Sequence, residues 1–368
     1  MTDSLHSLVH GFDPLRPIEE ALTPPSAWYS DPALAQQETE SILRQNWLPI
    51  GHASQFDGVG DFLSGCSHGM PWVVVRDRDI LRAFHNVCRH KAGPVAVGSG
   101  NAETLVCAYH GWRYRLDGRL ASAPRMAGSQ RLDRAALSLV PMGIAVWGPL
   151  VWIHLDPVAE HPASTHPEVD AALALTDWGD LHFARRDVYD LACNWKVFVD
   201  NYLDGGYHVS RVHPRLSAQL DLTTYETTLF ERSSIQAAGA GDDPNAAGGA
   251  GRLAGGATYA FTYPNIMFNR YGPVLDTNVV IPVTSTRCKV VIDVYFDAVA
   301  VADTAFAAAS LASTAQTQAE DVRISEQVQQ GLLSPSYDRG PYAPGVEHAE
   351  HHFHQLLAAD LRRAVRPA

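Results

Sequence analysis

The spacing of apolar positions along this 368-residue chain changes character twice, and the changes divide it into three stretches. The first is helix-like: Asp31 is placed to cap a helix running through Ala33 and Leu34 to Trp47. From residue 48 to 157 the apolar residues gather into short runs: Trp72–Val75, Leu105–Ala108, Val146–Trp147 and Leu150–Leu155. Turn residues such as Asp117-Gly118 separate them, which predicts short antiparallel strands joined by hairpins. The third stretch opens with a helical pattern from Asn194 to His208, stopped by Pro214. Strand-like runs follow at 225–235, 257–270, 276–283 and 287–299, then a long helix over Ala305–Gln330 and a terminal one over Val346–Val365. Helix, antiparallel meander and long helix predict an α+β domain with a cavity between sheet and helix. The expected organisation is therefore a helical lead-in at 1–47 packing on the last domain, an all-β domain at 48–160, and the α+β domain at 161–368. The low-complexity segment 237–256, AAGAGDDPNAAGGAGRLAGG, reads as a mobile surface loop or partly disordered chain.

Composition narrows the partners. The formal net charge is −12 with no run of Lys or Arg, which argues against nucleic acid and anionic membrane. The start, MTDSLHSLVHGFDP, has no basic region followed by an apolar one, so no signal peptide is expected and a cytoplasmic location is. Ile144–Leu155, the most apolar stretch, is too short to span a bilayer.

Two short boxes carry the chemistry. Cys88-Arg-His90 and Cys107-Ala-Tyr-His110 each offer one thiolate and one imidazole. Zinc would accept such a set, but one residue between Cys88 and His90 is too tight for the common zinc-finger spacing. A [2Fe–2S] cluster of Rieske type takes two thiolates on one iron and two imidazoles on the other, which two matched loops can supply. The flanks, CRHKAGPVAVGSG and CAYHGWRYRLDGRL, resemble the Rieske boxes of ring-hydroxylating oxygenases. On this reading Trp112 shields the cluster and His90 or His110 passes the electron on. The other cysteines, Cys66, Cys193 and Cys288, are expected to be buried free thiols.

An electron relay needs an acceptor. The segment from Asn194 to Pro214, with its DNYLDGGYHV wording, resembles the catalytic domain of Rieske non-haem iron oxygenase α subunits, and choline-monooxygenase-like members most. Two imidazoles and one carboxylate on one face suit a non-haem Fe(II) that activates O₂. His208 and His213 are five apart, wrong for one helix face, but Pro214 pushes His213 out of helical conformation and lets it swing back. The alternative is a helix with two ordinary histidines. The stretch Glu320-Asp321-Val322 followed by Gln327 and Gly331-Leu332 resembles the family's E-D and Q-x-G-L wording. The resemblance implies Asp321 as third ligand, with Glu320 in reserve; by itself the pair reads as a solvated acidic face. The fold implied is a helix-grip (START-like) catalytic domain behind a Rieske domain.

Asp204 lies one helical turn before His208, so on a helix its carboxylate can take the imidazole's spare N–H. The resemblance also implies a carboxylate here that bridges to a cluster histidine of a neighbouring subunit. Many members place that acid where this chain has Gly205, so Asp204 matches only with one glycine inserted. Gly205-Gly206 predicts a bulge, a crowded backbone or a plain helix break. Asn201 is a candidate to orient O₂ or water near the iron, with a capping or core amide as an equal reading.

No Gly-rich dinucleotide fingerprint follows a strand, and three spare cysteines cannot hold a second plant-type cluster. Electrons from NAD(P)H must arrive through a separate flavin reductase, directly or by a ferredoxin. The resemblance implies a homotrimer in which the cluster of one subunit serves the iron of the next. The expected activity is O₂-dependent hydroxylation of a C–H bond, on a quaternary ammonium or N-methyl compound first. Such a cation calls for an aromatic cage; Tyr202, Tyr207, Tyr263, Phe268 and Tyr271 are available, or are simply core. Alternatives are hydroxylation or oxidative cyclisation of an aromatic substrate, a soluble Rieske electron carrier, and a ligand-binding protein with a vestigial iron site. A His-rich patch, His348, His351, His352 and His354, reads as an ordinary helix.

Overall fold

A computed structural model of the protein describes residues 2–174, 178–243 and 251–365. It forms two compact units: Arg44–Pro162, and Met1–Leu43 together with Ala163–Ala368. Among the described residues, no helix is long and apolar enough to cross a membrane.

The first unit is all-β. Its seven-stranded antiparallel sheet has the order Leu48–His52, Leu150–His154, Pro141–Trp147, Ile80–His85, Met70–Asp77, Asp61–Ser67 and Ser99–Asn101. A second, three-stranded sheet joins Leu105–Val106, Arg113–Tyr114 and Leu120–Ser122. The Asp117-Gly118 turn closes its second hairpin, with Gly118 at φ 84° and the Asp117 carboxylate accepting from the Arg119 N–H. Val73, Val75, Phe84, Leu105, Tyr114, Leu120 and Leu139 fill the core, and Cys88, Cys107 and Trp112 belong to it.

The second unit is a seven-stranded antiparallel sheet under helices, so the expected α+β class and long C-terminal helices are what forms. His182–Leu191, a strand the apolar pattern did not predict, pairs with Arg287–Phe296. The sheet then runs back through Val274–Thr284, Ile266–Tyr271, Ala257–Thr262 and Ser233–Ala240 to Leu220–Leu229. Two expected runs each prove to be two strands. The run at 225–235 turns at 230–232, and that at 257–270 turns at 263–265. Burial blurs the second break, because residues 263–265 are as buried as the strands they join; all six residues of Ile266–Tyr271 are buried.

The lead-in is tied to this unit by charge. Asp31 caps the helix Pro32–Ser41 through the Ala33 and Leu34 N–H groups, and the helix stops short of Trp47. Glu38 on it meets Lys196 Nζ at 2.7 Å and Trp195 Nε1 at 2.9 Å, with both charges fully buried.

Three further expectations are corrected. The helix expected over Asn194–His208 spans Trp195–Leu203, capped by the Asn194 side chain. Segment 237–256 begins as strand, and Arg252 within it is 2 % exposed; residues 244–250 lie outside the described ones. Cys193 and Cys288 are buried with sulfurs 3.8 Å apart, but Cys66 is exposed.

Candidate metal centres

In the all-β unit, two loops carry the Cys/His boxes. The Cys88 loop closes by mutual bonds between Cys88 and the Gly93 and Ala92 backbones, and Gly93 lets the loop pass close to the second box, since a Cβ there would stand 3.0 Å from Cys107 Sγ. Gly111, at φ 72°, turns the second loop so that Trp112 goes inward while His110 stays exposed. The Trp112 and His90 rings stack with centroids 4.9 Å apart and 4° between planes; the His90 and His110 rings are 4.6 Å apart. Tyr114 Oη lies 3.3 Å from Cys88 Sγ and accepts the Arg89 N–H at 3.0 Å.

Two observations test which metal this quartet fits. A single tetrahedral ion would draw at least three ligand atoms close together. Among the described residues the triplets gathered within 4.8 Å of one another lie elsewhere, so the quartet does not converge on one point. His90 Nδ1 is buried and has no hydrogen-bond partner, as a nitrogen reserved for a metal would be. The donor set therefore fits a two-iron cluster with sulfur and nitrogen ligands on different irons.

The second centre lies in the α+β unit, on the long helix Thr304–Leu332. The buried residues of that helix are Ser310, Thr314, Gln318, Asp321, Ser325 and Gln329. Spaced by three or four, they form one face, and every member is polar. A helix that buries a polar stripe must be satisfied by partners across it. Asp321 finds two: its Oδ1 accepts from Asn201 Nδ2 at 2.8 Å and lies 2.9 Å from His213 Nε2. His208 Nε2 is 3.9 Å from the same oxygen, and one atom each of His208, His213 and Asp321 lies within 4.8 Å of the others.

The local chain explains the convergence. Leu203 ends its helix, and Gly205 and Gly206 follow at φ 70° and 75°. A Cβ on Gly205 would stand 2.2 Å from the Val346 carbonyl oxygen. Asp204 thus reaches His208 by a left-handed glycine turn and not along one helix, as the sequence suggested. Its Oδ2 accepts from His208 Nδ1 at 2.7 Å and from the His208 backbone N–H at 2.9 Å. His213, with φ −119° and ψ 66° before Pro214, sits between two short helices, Val209–Val212 and Pro214–Ser217.

His213 has a carboxylate of its own: Glu320 Oε2 is 2.8 Å from His213 Nδ1. Glu320 therefore stands behind the imidazole, on the side away from Asp321, and is not an alternative to it. Each histidine is gripped at Nδ1 by an acid, which leaves both Nε2 atoms turned to one spot. Burial works against charge on His213, but Asp321 and Glu320 outweigh it and hold its pKa above the ordinary value. A divalent cation would serve the same carboxylates as that proton does. Two imidazoles and one carboxylate on one side fit a non-haem iron.

Beside this cluster is a cavity whose lining includes Phe198, Asn201, Tyr202, Tyr225, Tyr259 and Tyr271. Tyr259 is central, with ring centroids of Tyr202, Tyr225 and Tyr271 at 6.3, 6.2 and 6.0 Å. Of the aromatic residues singled out from the sequence, Tyr202 and Tyr271 line the cavity. Tyr207 is exposed, Tyr263 packs on Phe353 and Arg232, and Phe268 packs on Trp178. Tyr225, Tyr259, Arg252 and Asp276 also line it, and sequence reasoning missed all four. Their signal was weak, since Arg252 hides in low-complexity text and the others in strands. His354, from the His-rich patch, is fully buried and held by Asp200, Tyr29 and Tyr342.

Residues 46–140 match the family described as Rieske [2Fe-2S] domain, and residues 178–362 match Ring hydroxylating alpha subunit (catalytic domain). The chain is 42 % identical to the chloroplastic choline monooxygenase of Arabidopsis thaliana, over 97 % of this chain and 87 % of that protein. It is 31 % identical to the carnitine monooxygenase oxygenase subunit of Escherichia coli K12, over 92 % and 94 %. Among solved structures it is similar to a quaternary ammonium Rieske monooxygenase described for carnitine oxidation by gut microbiota and inter-subunit electron transfer. That similarity has a TM-score of 0.82 and 25 % identity, and covers 96 % of this chain and 98 % of the other.

Proposed function

The chain belongs to the Rieske non-haem iron oxygenase α subunits, a family of oxidoreductases, and from that premise we propose that it hydroxylates quaternary ammonium or N-methyl compounds. In this reading Cys88 and Cys107 hold one iron of the cluster, His90 and His110 the other, and His208, His213 and Asp321 the mononuclear iron. When bound, the cluster supplies electrons singly, and the mononuclear iron supplies open positions where O₂ is reduced beside the substrate.

The protein's part is placement. Asp204 and Glu320 fix the tautomer and direction of the two imidazoles, and Asn201 holds the Asp321 carboxylate by its amide. These bonds keep three donor atoms on one side and leave the other side facing the cavity. The tyrosines in the lining supply the electron-rich rings that attract a methylated cation without a hydrogen bond. That cavity, opening directly on the His208–His213–Asp321 cluster, is the observation that carries the substrate reading. Attack on a methyl beside nitrogen would give a carbinolamine that expels formaldehyde; attack on an alcohol carbon would give an aldehyde hydrate. The exposed His110 edge suits the exit of electrons, and the resemblance makes Asp204, beside His208, the acid that would meet a neighbouring subunit's cluster histidine. The reading includes a homotrimer, as the family resemblance implies, supplied with electrons by a separate flavin reductase or ferredoxin.

The test is O₂ uptake with a generic reductase over methylammonium, alcohol and aromatic compounds, scoring formaldehyde against hydroxylated product. Uptake coupled to an onium compound is expected. Uptake with aromatic compounds alone would overturn the substrate reading.

A further inference from the structure

The polar stripe of the long helix runs on beyond the metal cluster, and two buried charges meet it there. Thr314 lies seven residues before Asp321, about 10 Å along the helix axis. Its hydroxyl accepts from Arg252 Nη1 at 2.9 Å and donates to Asp276 Oδ2 at 2.9 Å. Arg252 also donates to the Ser310 carbonyl at 3.2 Å, and its guanidinium carbon is 4.7 Å from the Tyr271 ring centroid. Both charged residues line the cavity, and each is 2 % exposed. Neither is fully satisfied: Arg252 Nε and Asp276 Oδ1 have no hydrogen-bond partner among the described residues, where Arg252 also forms no ion pair.

A buried guanidinium with no carboxylate partner is costly, and so is a buried carboxylate oxygen with no donor. Burial pushes the Asp276 carboxyl up while Arg252 pulls it back, so each charge supports the other across the Thr314 hydroxyl. One residue of each sign thus lines the cavity, two helical turns from the metal cluster. An apolar substrate would leave both unmatched. A simple cation would satisfy Asp276 and leave the guanidinium, whose planar fork fits a carboxylate, without one.

We infer that Arg252 and Asp276 select zwitterionic substrates, onium compounds that also carry a carboxylate, with the carboxylate on Arg252 and the onium head between Asp276 and the tyrosines. This rests on the onium reading of the cavity. It assigns the recognition to the end of the substrate that is not oxidised.

The experiment compares glycine betaine, γ-butyrobetaine and choline, by calorimetric binding to the metal-loaded enzyme without O₂ and by coupled O₂ uptake. A zwitterion should bind and react at least tenfold better than choline. Arg252→Met should weaken zwitterion binding tenfold or more and choline binding by clearly less, through the lost support for the Asp276 charge, so that the preference disappears. Arg252→Lys, which keeps the charge and loses the fork, should recover part of the loss and shows that the fold is intact. Asp276→Asn should weaken all three compounds. A wild-type preference for choline, or equal losses for choline and zwitterion in Arg252→Met, would overturn the inference and leave the onium reading standing. If no onium compound of either kind is bound or consumed, both fall together.

Discussion

Single residues decide how well the mononuclear site is organised, and two neighbouring acids divide that work. Asp321 faces His213 Nε2 and Glu320 faces His213 Nδ1. Asp321→Ala should therefore empty the mononuclear site while the cluster's visible spectrum stays intact. Full iron occupancy in that variant would mean the wrong carboxylate. Glu320→Gln is a different lesion: the imidazole keeps a partner but loses the charge that orients it. Outer partners of this kind are worth roughly 10–100-fold in metal affinity. The expected result is iron lost to a chelator roughly tenfold faster, again with an unchanged cluster spectrum. Iron retention equal to wild type would reduce Glu320 to a surface acid.

At the scale of elements, the segment between Leu203 and Pro214 matters most. The sequence pattern carried a helix to His208, because Asp204 and His208 are four apart and four is the helical neighbour distance, while Gly205-Gly206 already pointed to a bulge, a crowded backbone or a helix break. The structure reaches the same Asp204–His208 contact by another route, two glycines at positive φ, because Val346 packs where a Cβ of residue 205 would go. Gly205→Ala should cost about 1–3 kcal/mol for the left-handed backbone alone, and the contact with Val346 adds to it. Thermal unfolding should show a clear fall in Tm, with His208 displaced and mononuclear iron depleted. An unchanged Tm would mean the turn tolerates a side chain. The long helix shows the opposite limit of patterning. Its existence and extent were legible, within two residues at either end, from Ala305–Gln330. Its buried stripe was not, because a polar stripe looks like a solvent face until something is seen packed on it.

At the scale of the whole molecule, the two metal sets make a quantitative claim. A terminal oxygenase of this family carries three irons per chain, whereas a Rieske carrier would hold two. Metal analysis of the reconstituted protein should give three, with two of them accompanied by acid-labile sulfide. Two irons and two sulfides, with no O₂ uptake, would fit a carrier instead. The α+β class, the small all-β unit and the family were readable from the chain. The strand His182–Leu191 was not, since its residues alternate exposed and half-buried without a strong apolar run.

What the sequence determined was whatever depends on neighbours in the chain. Each Cys/His box sits in one loop, and its glycine turns are local, so spacing and flanks sufficed to propose a two-iron cluster. What only the tertiary structure decided joins distant positions. Asp321 meets His213 across 108 residues and Asn201 across 120, and Arg252 meets Thr314 across 62. Nothing in local spacing separates Asp321 from Glu320, or a recognition arginine from one in a glycine-rich loop. Those roles follow from which face of the long helix is buried, and burial is a property of the packed chain.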